Sequence, residues 1–163
     1  MQAHRTDPGG TLLPIARAAI ATALGRPDAT PQDAAWLHEP GASFVTLTQQ
    51  GALRGCIGSL HPRRSLLADV KANAVAAALQ DPRFATVTLA ELDRIQIQVA
   101  VLSTLQPLSF ETEAHALAQL QPGVDGVMLE FEHYRSTFLP QVWEQLPSPS
   151  DFLAHLKRKA GLP

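Results

Sequence analysis

The segment SFVTLTQQGALRGCIGSL, residues 43–60, decides the fold that this sequence predicts. It contains two short runs of strand character, SFVTLT and LRGCIGSL, which are separated by the turn-like connection QQGA. Two such runs joined through a glycine are typical of a β-hairpin. The second run carries the single cysteine of the chain, Cys56, two residues after Arg54 and between Gly55 and Gly58. The sequence therefore predicts a hairpin whose second strand holds a candidate site.

Hydrophobic periodicity predicts helices on both sides of this hairpin. Apolar side chains recur with helical spacing in residues 11–25, and Gly25 follows as a stop signal. Residues 65–80 are rich in alanine and leucine, and Ser65 precedes them as a helix cap. The hairpin is therefore expected to pack against helices.

The clearest strand lies further along the chain, in RIQIQVAVLS, where four β-branched residues alternate with small or polar ones: Ile95, Ile97, Val99 and Val101. The other predicted elements are a short helical piece around Trp36, one helical turn with a Thr88/Glu91 capping box, a helix in TEAHALAQLQPG, a strand in DGVMLEF, a short strand running into a helix in FLPQVWEQL, and a final helix with Ser150 as its cap. Strands and helices without regular β-α-β alternation indicate an α+β fold, with a mostly antiparallel sheet flanked by helices.

Length and composition limit the class of protein. The chain has 163 residues, of which 45% are hydrophobic and 17% charged, and this fits one globular domain spanning residues 1–163. The formal net charge of -2 provides no global field for a polyanion. The basic clusters HPRR at 61–64 and KRK at 157–159 are therefore weak evidence for nucleic-acid binding, and the second fits the last turn of a helix.

The sequence also indicates a compartment. The start MQAHRTDPGG has no signal-peptide core, and no apolar run reaches the roughly 18 residues that a membrane span requires. A single cysteine permits no disulfide within the chain. We therefore expect a cytoplasmic protein without a membrane association.

Strand alternation divides the hairpin motif between two faces: Leu53, Gly55 and Ile57 on one, and Arg54, Cys56 and Gly58 on the other. Arg54 and Cys56 would lie about 7 Å apart on one face, where a guanidinium favours the thiolate. The flanking glycines would leave the backbone open to a ligand. The alternative is that Cys56 is a small buried hydrophobic residue and Arg54 a surface charge.

Other residues are weaker candidates. Asp81 and Arg83 bracket a proline in DPRF, where a local cap or ion pair competes with a ligand role. The six histidines form neither an i, i+4 pair nor a close cluster with the cysteine, so we predict no metal site and no cofactor. Trp143 in LPQVW is expected to be a core anchor. No nucleophile elbow of a serine hydrolase is present.

Five blocks of sequence, in this order and spacing, carry a resemblance to a known family: LRGCIGSL, DPRF, VDGVML, FLPQVW and KAGLP. With them the chain resembles the AMMECR domain family over nearly its whole length. The resemblance implies an α+β fold in two subdomains, with Arg54 and Cys56 near the cleft between them. The residues that would line this cleft are Leu53, Arg54, Gly55, Cys56, Ile57, Gly58, Asp81 and Arg83.

The family resemblance also implies partners. The chain is similar to the first component of the AmmeMemoRadiSam system, whose other members are a Memo-like protein, similar to extradiol dioxygenases, and a radical S-adenosylmethionine protein. No reaction follows from this resemblance. The first hypothesis is therefore an accessory binding module, and the alternative is a cysteine-dependent enzyme or group carrier in which Cys56 is the nucleophile and Arg54 stabilises its thiolate. Nucleic-acid binding through Arg54, Arg63 and Arg64 is a weaker third hypothesis.

Overall fold

A computed structural model describes residues 3–6, 10–27 and 33–162 of the chain. The chain forms two compact units, the N-terminal unit of residues 4–102 and a C-terminal unit built mainly from residues 103–162. Both units combine antiparallel strands with helices, which confirms the predicted α+β class. Within the described ranges, no helix has the length and apolar character needed to cross a bilayer.

The N-terminal unit contains the hairpin and the helices packed on it. Its strands are β1 (Ala3–Thr6), β2 (Pro40–Gln49), β3 (Ala52–Gly58), the two-residue β4 (Arg64–Ser65) and β5 (Gln96–Leu102). Its helices are α1 (Leu12–Ala23), a 3-10 turn (Ala35–His38), α2 (Leu66–Leu79) and the one-turn α3 (Leu89–Leu92). The strand order across the sheet is β1-β5-β2-β3, with β4 paired to β2. The motif strand β3 is therefore at one edge of the sheet.

The predicted hairpin is confirmed. β2 and β3 pair antiparallel and are joined by Gln50 and Gly51, whose φ angles are 52° and 78°. A two-residue turn with two positive φ angles matches the right-handed twist of the strands it connects. Glycine adopts this geometry without steric cost, which explains its position in QQGA.

The core of the N-terminal unit lies between the sheet and the helices α1 and α2. Val45 and Leu47 of β2 and Val99 of β5 are fully buried on the sheet side. Ile20 of α1 and Val70 of α2 are fully buried on the helix side. Each such side chain contributes about 1.5–3 kcal/mol by leaving water. The alternation in β2 therefore fixes one face of the sheet as the inner one.

Polar side chains define where the helices of this unit begin. The Ser65 hydroxyl accepts a hydrogen bond from the Ala68 N–H at 3.2 Å, as expected of the cap of α2. At α3, the Thr88 N–H donates to Glu91 Oε2 at 2.8 Å, which confirms the predicted capping box. The segment 81–88 therefore connects the end of α2 to the capped start of α3.

The C-terminal unit packs a hairpin against a helix. Its elements are α4 (Glu113–Gln119), β6 (Val127–Phe131), β7 (Tyr134–Phe138), a 3-10 turn (Pro140–Glu144) and α5 (Pro149–Ala160). Trp143 is buried, stacks on Phe152 of α5 with ring centroids 3.7 Å apart, and donates its indole N–H to the Asp125 carbonyl at 2.7 Å. The prediction that Trp143 is a core anchor is therefore confirmed.

One predicted boundary in this unit is wrong. The cap of α5 is Ser148, whose hydroxyl accepts from the Asp151 N–H, and Ser150 lies inside the helix. Pro149 occupies the first helical position, where its missing N–H removes no helical hydrogen bond. The helix therefore begins two residues earlier than the prediction with Ser150 as its cap.

Candidate functional site

The motif strand β3 does not alternate regularly. Leu47 of β2 pairs with Gly55, whereas the next residue, Thr48, pairs with Leu53, so that Arg54 is an extra residue in the ladder. This is a β-bulge, which interrupts the alternation of side chains. The prediction that Leu53 and Gly55 lie on the same face of the sheet is therefore wrong. Gly55 pairs with the buried Leu47, whereas Leu53 pairs with Thr48, the next residue of β2, which faces the other side.

The two glycines of the motif are packing residues. A Cβ atom on Gly55 would lie 2.1 Å from the Ala77 carbonyl oxygen of α2, and one on Gly58 would lie 2.2 Å from the Phe44 ring. Neither distance is compatible with a side chain. The expectation that these glycines leave the backbone open to a ligand is wrong, because a helix backbone and an aromatic ring already occupy the space.

Arg54 is bonded to the segment that follows α2. Its Nε and Nη2 donate to Glu91 at 3.2 and 3.1 Å, and its Nη1 donates to the Ala85 carbonyl at 2.7 Å. Its side chain is 16% exposed. The Thr88 N–H and then the Thr88 hydroxyl and Arg54 hold the pKa of Glu91 below its usual value, against the opposing effect of burial. In place of the predicted guanidinium–thiol pair, Arg54 forms a guanidinium–carboxylate pair.

Cys56 is half-buried, and three of its groups have polar neighbours. Its Sγ lies 3.4 Å from the Thr46 hydroxyl. Its N–H donates to Asp81 Oδ2 at 3.0 Å, and its carbonyl accepts from Arg83 Nη2 at 3.4 Å. Since β3 is an edge strand, Asp81 and Arg83 take the place of a neighbouring strand at this residue.

Asp81 is the buried centre of this arrangement. Its carboxylate accepts four hydrogen bonds: from the Cys56 N–H and from the N–H, Nε and Nη2 of Arg83, the last at 2.7 Å. The bond from the Arg83 side chain, followed by those from the backbone, holds the pKa of Asp81 far below its usual value although burial opposes the shift. Bonding to Asp81 likewise raises the pKa of Arg83, with a smaller contribution from Cys56.

The structure thus brings together three of the predicted site residues, Cys56, Asp81 and Arg83. The Asp81 side chain is 2% exposed, whereas that of Arg83 is 54% exposed and its guanidinium carbon lies 5.3 Å from the Phe84 ring centroid. Two other residues predicted to line the cleft lie in different surroundings, because Ile57 packs against the core and Leu53 is 43% exposed.

A second polar cluster, which the sequence analysis missed, lies at the other end of the hairpin. Asp69 of α2 is 1% exposed and accepts five hydrogen bonds, from Ser43 N–H and hydroxyl, Ser59, Arg64 and Asn73. The signal for it was present, because Asp69 and Asn73 are polar residues four apart on the apolar face of a predicted helix. Its donors come from β2, β4, α2 and the segment after β3, so the cluster joins these elements.

The chemistry available at Cys56 is limited. Within residues 33–102, the polar side-chain atom in hydrogen-bond range of its Sγ is the Thr46 hydroxyl, which is not a base at neutral pH. His38 is bonded to Asp33 at 2.7 Å, and no histidine bonds to Cys56 in this part of the chain. Within the described residues, no group of three or more His, Cys, Asp or Glu side chains is placed to hold a metal ion.

These features define an α+β domain class in which a bulged edge strand with the LRGCIG motif is bound to a following Asp-Pro-Arg turn. The AMMECR1 family model matches residues 13–163. The chain belongs to the AMMECR1 family.

Relatives and a solved structure agree with this assignment. A protein of Methanothermobacter thermautotrophicus is 38% identical over 168 residues, covering 96% of this chain and 84% of the relative. A protein of Methanocaldococcus jannaschii is 38% identical over 68% of this chain, and that match spans only 56% of the relative's length. The crystal structure of an uncharacterized protein from Pyrococcus horikoshii is similar with a TM-score of 0.86 and 34% identity, covering 98% of this chain and 82% of that one.

Proposed function

We propose that this chain is the non-catalytic binding component of an AmmeMemoRadiSam system, and that the sheet face carrying the LRGCIG motif docks the Memo-like protein. One observation carries the proposal: the arginine expected to activate the Cys56 thiol is bonded to a carboxylate of the same domain. Arg54 is bonded to Glu91, and the Cys56 backbone is bonded to Asp81 and Arg83.

The surface that remains for a partner is the side of the sheet opposite α1 and α2, which we call the outer face. Its members alternate with the buried residues of β2 and β5: Phe44, Thr46, Thr48, Gln96, Gln98 and Ala100, with Cys56 beside Thr46. Gln96 and Gln98 are exposed, and the others are half-buried. None of these residues is charged, so the face has the polarity of a protein contact and lacks the basic residues that nucleic-acid binding requires.

The Memo-like protein is the proposed partner because the family resemblance places such a protein in the same system. The radical S-adenosylmethionine protein is the second companion that the resemblance implies. The proposed location of the motif beside a cleft between two subdomains remains a prediction, as does a cytoplasmic location.

Calorimetric titration with purified proteins tests the proposal. The Memo-like protein of the same genome should bind with a micromolar or lower Kd at about 0.15 M salt, where exposed charges are largely screened. Generic single-stranded and duplex nucleic acids should give no heat above dilution. Absence of binding to the Memo-like protein would refute the proposed function, and binding to nucleic acid in its place would favour the nucleic-acid hypothesis.

A second candidate function, nucleophilic chemistry at Cys56, has one observation in its favour. The thiol is not fully buried, and the Arg83 guanidinium lies beside this residue, with Nη2 3.4 Å from the Cys56 carbonyl oxygen. Iodoacetamide labelling of the native protein across pH separates the two functions. A nucleophile should label rapidly near neutral pH, whereas an unactivated, half-buried thiol should label slowly at that pH even though the protein is folded.

A further inference from the structure

We propose that Arg83, which lies at the edge of the sheet beside Cys56 and so borders the outer face, receives a carboxylate side chain of the docked partner protein and thereby determines the specificity of docking. This inference rests on the proposed docking function and adds the chemistry of the contact. It concerns a residue beside the motif, outside the strand that carries the family signature.

The guanidinium of Arg83 is held on one side and exposed on the other. Nε and Nη2 donate to Asp81 at 3.0 and 2.7 Å, and Nη2 also contacts the Cys56 carbonyl at 3.4 Å. Within the described residues, Nη1 has no hydrogen-bond partner, and 54% of the side chain is exposed. Two N–H groups of a fixed guanidinium are therefore available to an acceptor from outside.

Burial of Asp81 makes this orientation rigid. The Asp81 side chain is 2% exposed and is itself held by the Cys56 and Arg83 N–H groups. An exposed arginine normally loses rotamer freedom when it binds, whereas Arg83 has lost much of it in the free protein. The anchored side chain resembles the preorganised hot-spot arginines of protein interfaces more than a mobile surface charge.

Charge balance indicates the kind of anion. Asp81 neutralises the guanidinium, so the pair attracts anions weakly at long range and acts mainly through directed N–H donors at contact distance. Phosphate-rich ligands are captured by excess positive charge, which this pair lacks. A carboxylate brought to Arg83 by an already docked protein matches the site better than a free phosphate or a nucleic acid.

Acetate is the probe for the contact itself. In NMR spectra of the side-chain nitrogens of the whole chain, acetate should shift the Arg83 signals with a midpoint at least about threefold lower than those of exposed Arg94 in the same sample. Inorganic phosphate should show no such preference for Arg83. Equal midpoints for the two arginines, or a tighter response to phosphate than to acetate, would overturn the carboxylate assignment.

Variants test the same contact in the complex. Arg83→Gln should weaken binding of the Memo-like protein by about tenfold or more, Arg83→Lys should weaken it less, and Arg94→Gln should leave it unchanged. An unchanged affinity of Arg83→Gln would overturn the inference. If the wild-type chain does not bind the Memo-like protein, the proposed function fails, and the acetate titration still decides whether Arg83 is a carboxylate receptor.

Discussion

Asp81 accepts a hydrogen bond from the backbone N–H of Cys56 at 3.0 Å, across 25 residues of sequence. The contact binds the Asp-Pro-Arg turn to the edge strand that contains LRGCIG, so that residues of both segments form one hydrogen-bonded unit.

Asp81→Asn should lower the free energy of unfolding by about 3 kcal/mol near neutral pH, because it leaves Arg83 and the Cys56 N–H with a weaker acceptor. Urea denaturation measures the change. The matched control is Asp93→Asn, whose carboxylate is 71% exposed and pairs with Arg26, and it should change stability by less than about 1 kcal/mol. Equal effects of the two substitutions would contradict the assigned role of Asp81.

Stability should fall with acid in a defined range. The pKa values of Asp81 and Glu91 are lowered in the folded state, so the unfolded chain binds more protons when the pH falls below their ordinary values. Their contribution is complete above about pH 5 and is lost progressively below about pH 4. In the double variant Asp81→Asn/Glu91→Gln, melting temperatures should decline less steeply between about pH 5 and pH 3. An unchanged slope would contradict this origin of the acid sensitivity.

Arg54→Gln should destabilise the domain by about 1–3 kcal/mol, because it leaves Glu91 and the Ala85 carbonyl without a charged donor. A double-mutant cycle with Glu91→Gln should give a coupling energy of at least about 0.5 kcal/mol, as expected of residues in contact. The labelling rate of folded Cys56 should stay within about twofold of wild type. A large decrease of that rate without loss of stability would restore Arg54 as the partner of the thiol.

Alanine substitutions of Gly55 and Gly58 should differ in whether a second substitution restores the lost stability. Gly55→Ala meets a carbonyl of α2, which cannot move without the helix, and it should cost about 3 kcal/mol or prevent folding. Gly58→Ala meets the Phe44 ring, so adding Phe44→Leu should recover part of the lost melting temperature. Rescue of Gly55→Ala by the same Phe44 substitution would contradict this packing.

Cys56→Ser and Cys56→Ala should both remain within about 1 kcal/mol of wild-type stability. The serine hydroxyl has Thr46 as a hydrogen-bond partner, and the half-buried site leaves only a small gap with alanine. Both variants should bind the Memo-like protein with affinities within about threefold of wild type. Loss of in vivo complementation in both stable variants, with binding of the Memo-like protein intact, would favour chemistry at the thiol.

Much of the fold could be predicted from local patterns. The hairpin, α2 and the alternation of β5 follow from apolar periodicity and from Gly51 and Ser65, which act within a few residues. The predicted start of α5 is two residues too late. Ser148 and Ser150 are both possible caps, and Pro149 favours the earlier one because proline is well suited to the first helical position.

The candidate site was only partly predictable because its partners are distant in sequence. Arg54 was paired with Cys56 by strand parity, but parity does not reveal a bulge or the presence of Glu91, 37 residues later. The buried Asp69 cluster likewise depends on residues from several elements. Side-chain bonds across such separations follow from tertiary packing and not from local spacing.

The measurement that tests the central claim most directly compares two arginine substitutions in titrations with the Memo-like protein. Gln98→Arg places a bulky charge on the outer face, and Thr22→Arg places the same side chain at an exposed position of α1, on the opposite side of the sheet. We predict that Gln98→Arg weakens binding by about tenfold or more while Thr22→Arg binds like wild type, with both variants melting near the wild-type temperature. Equal affinities of the two folded variants would contradict docking through the outer face.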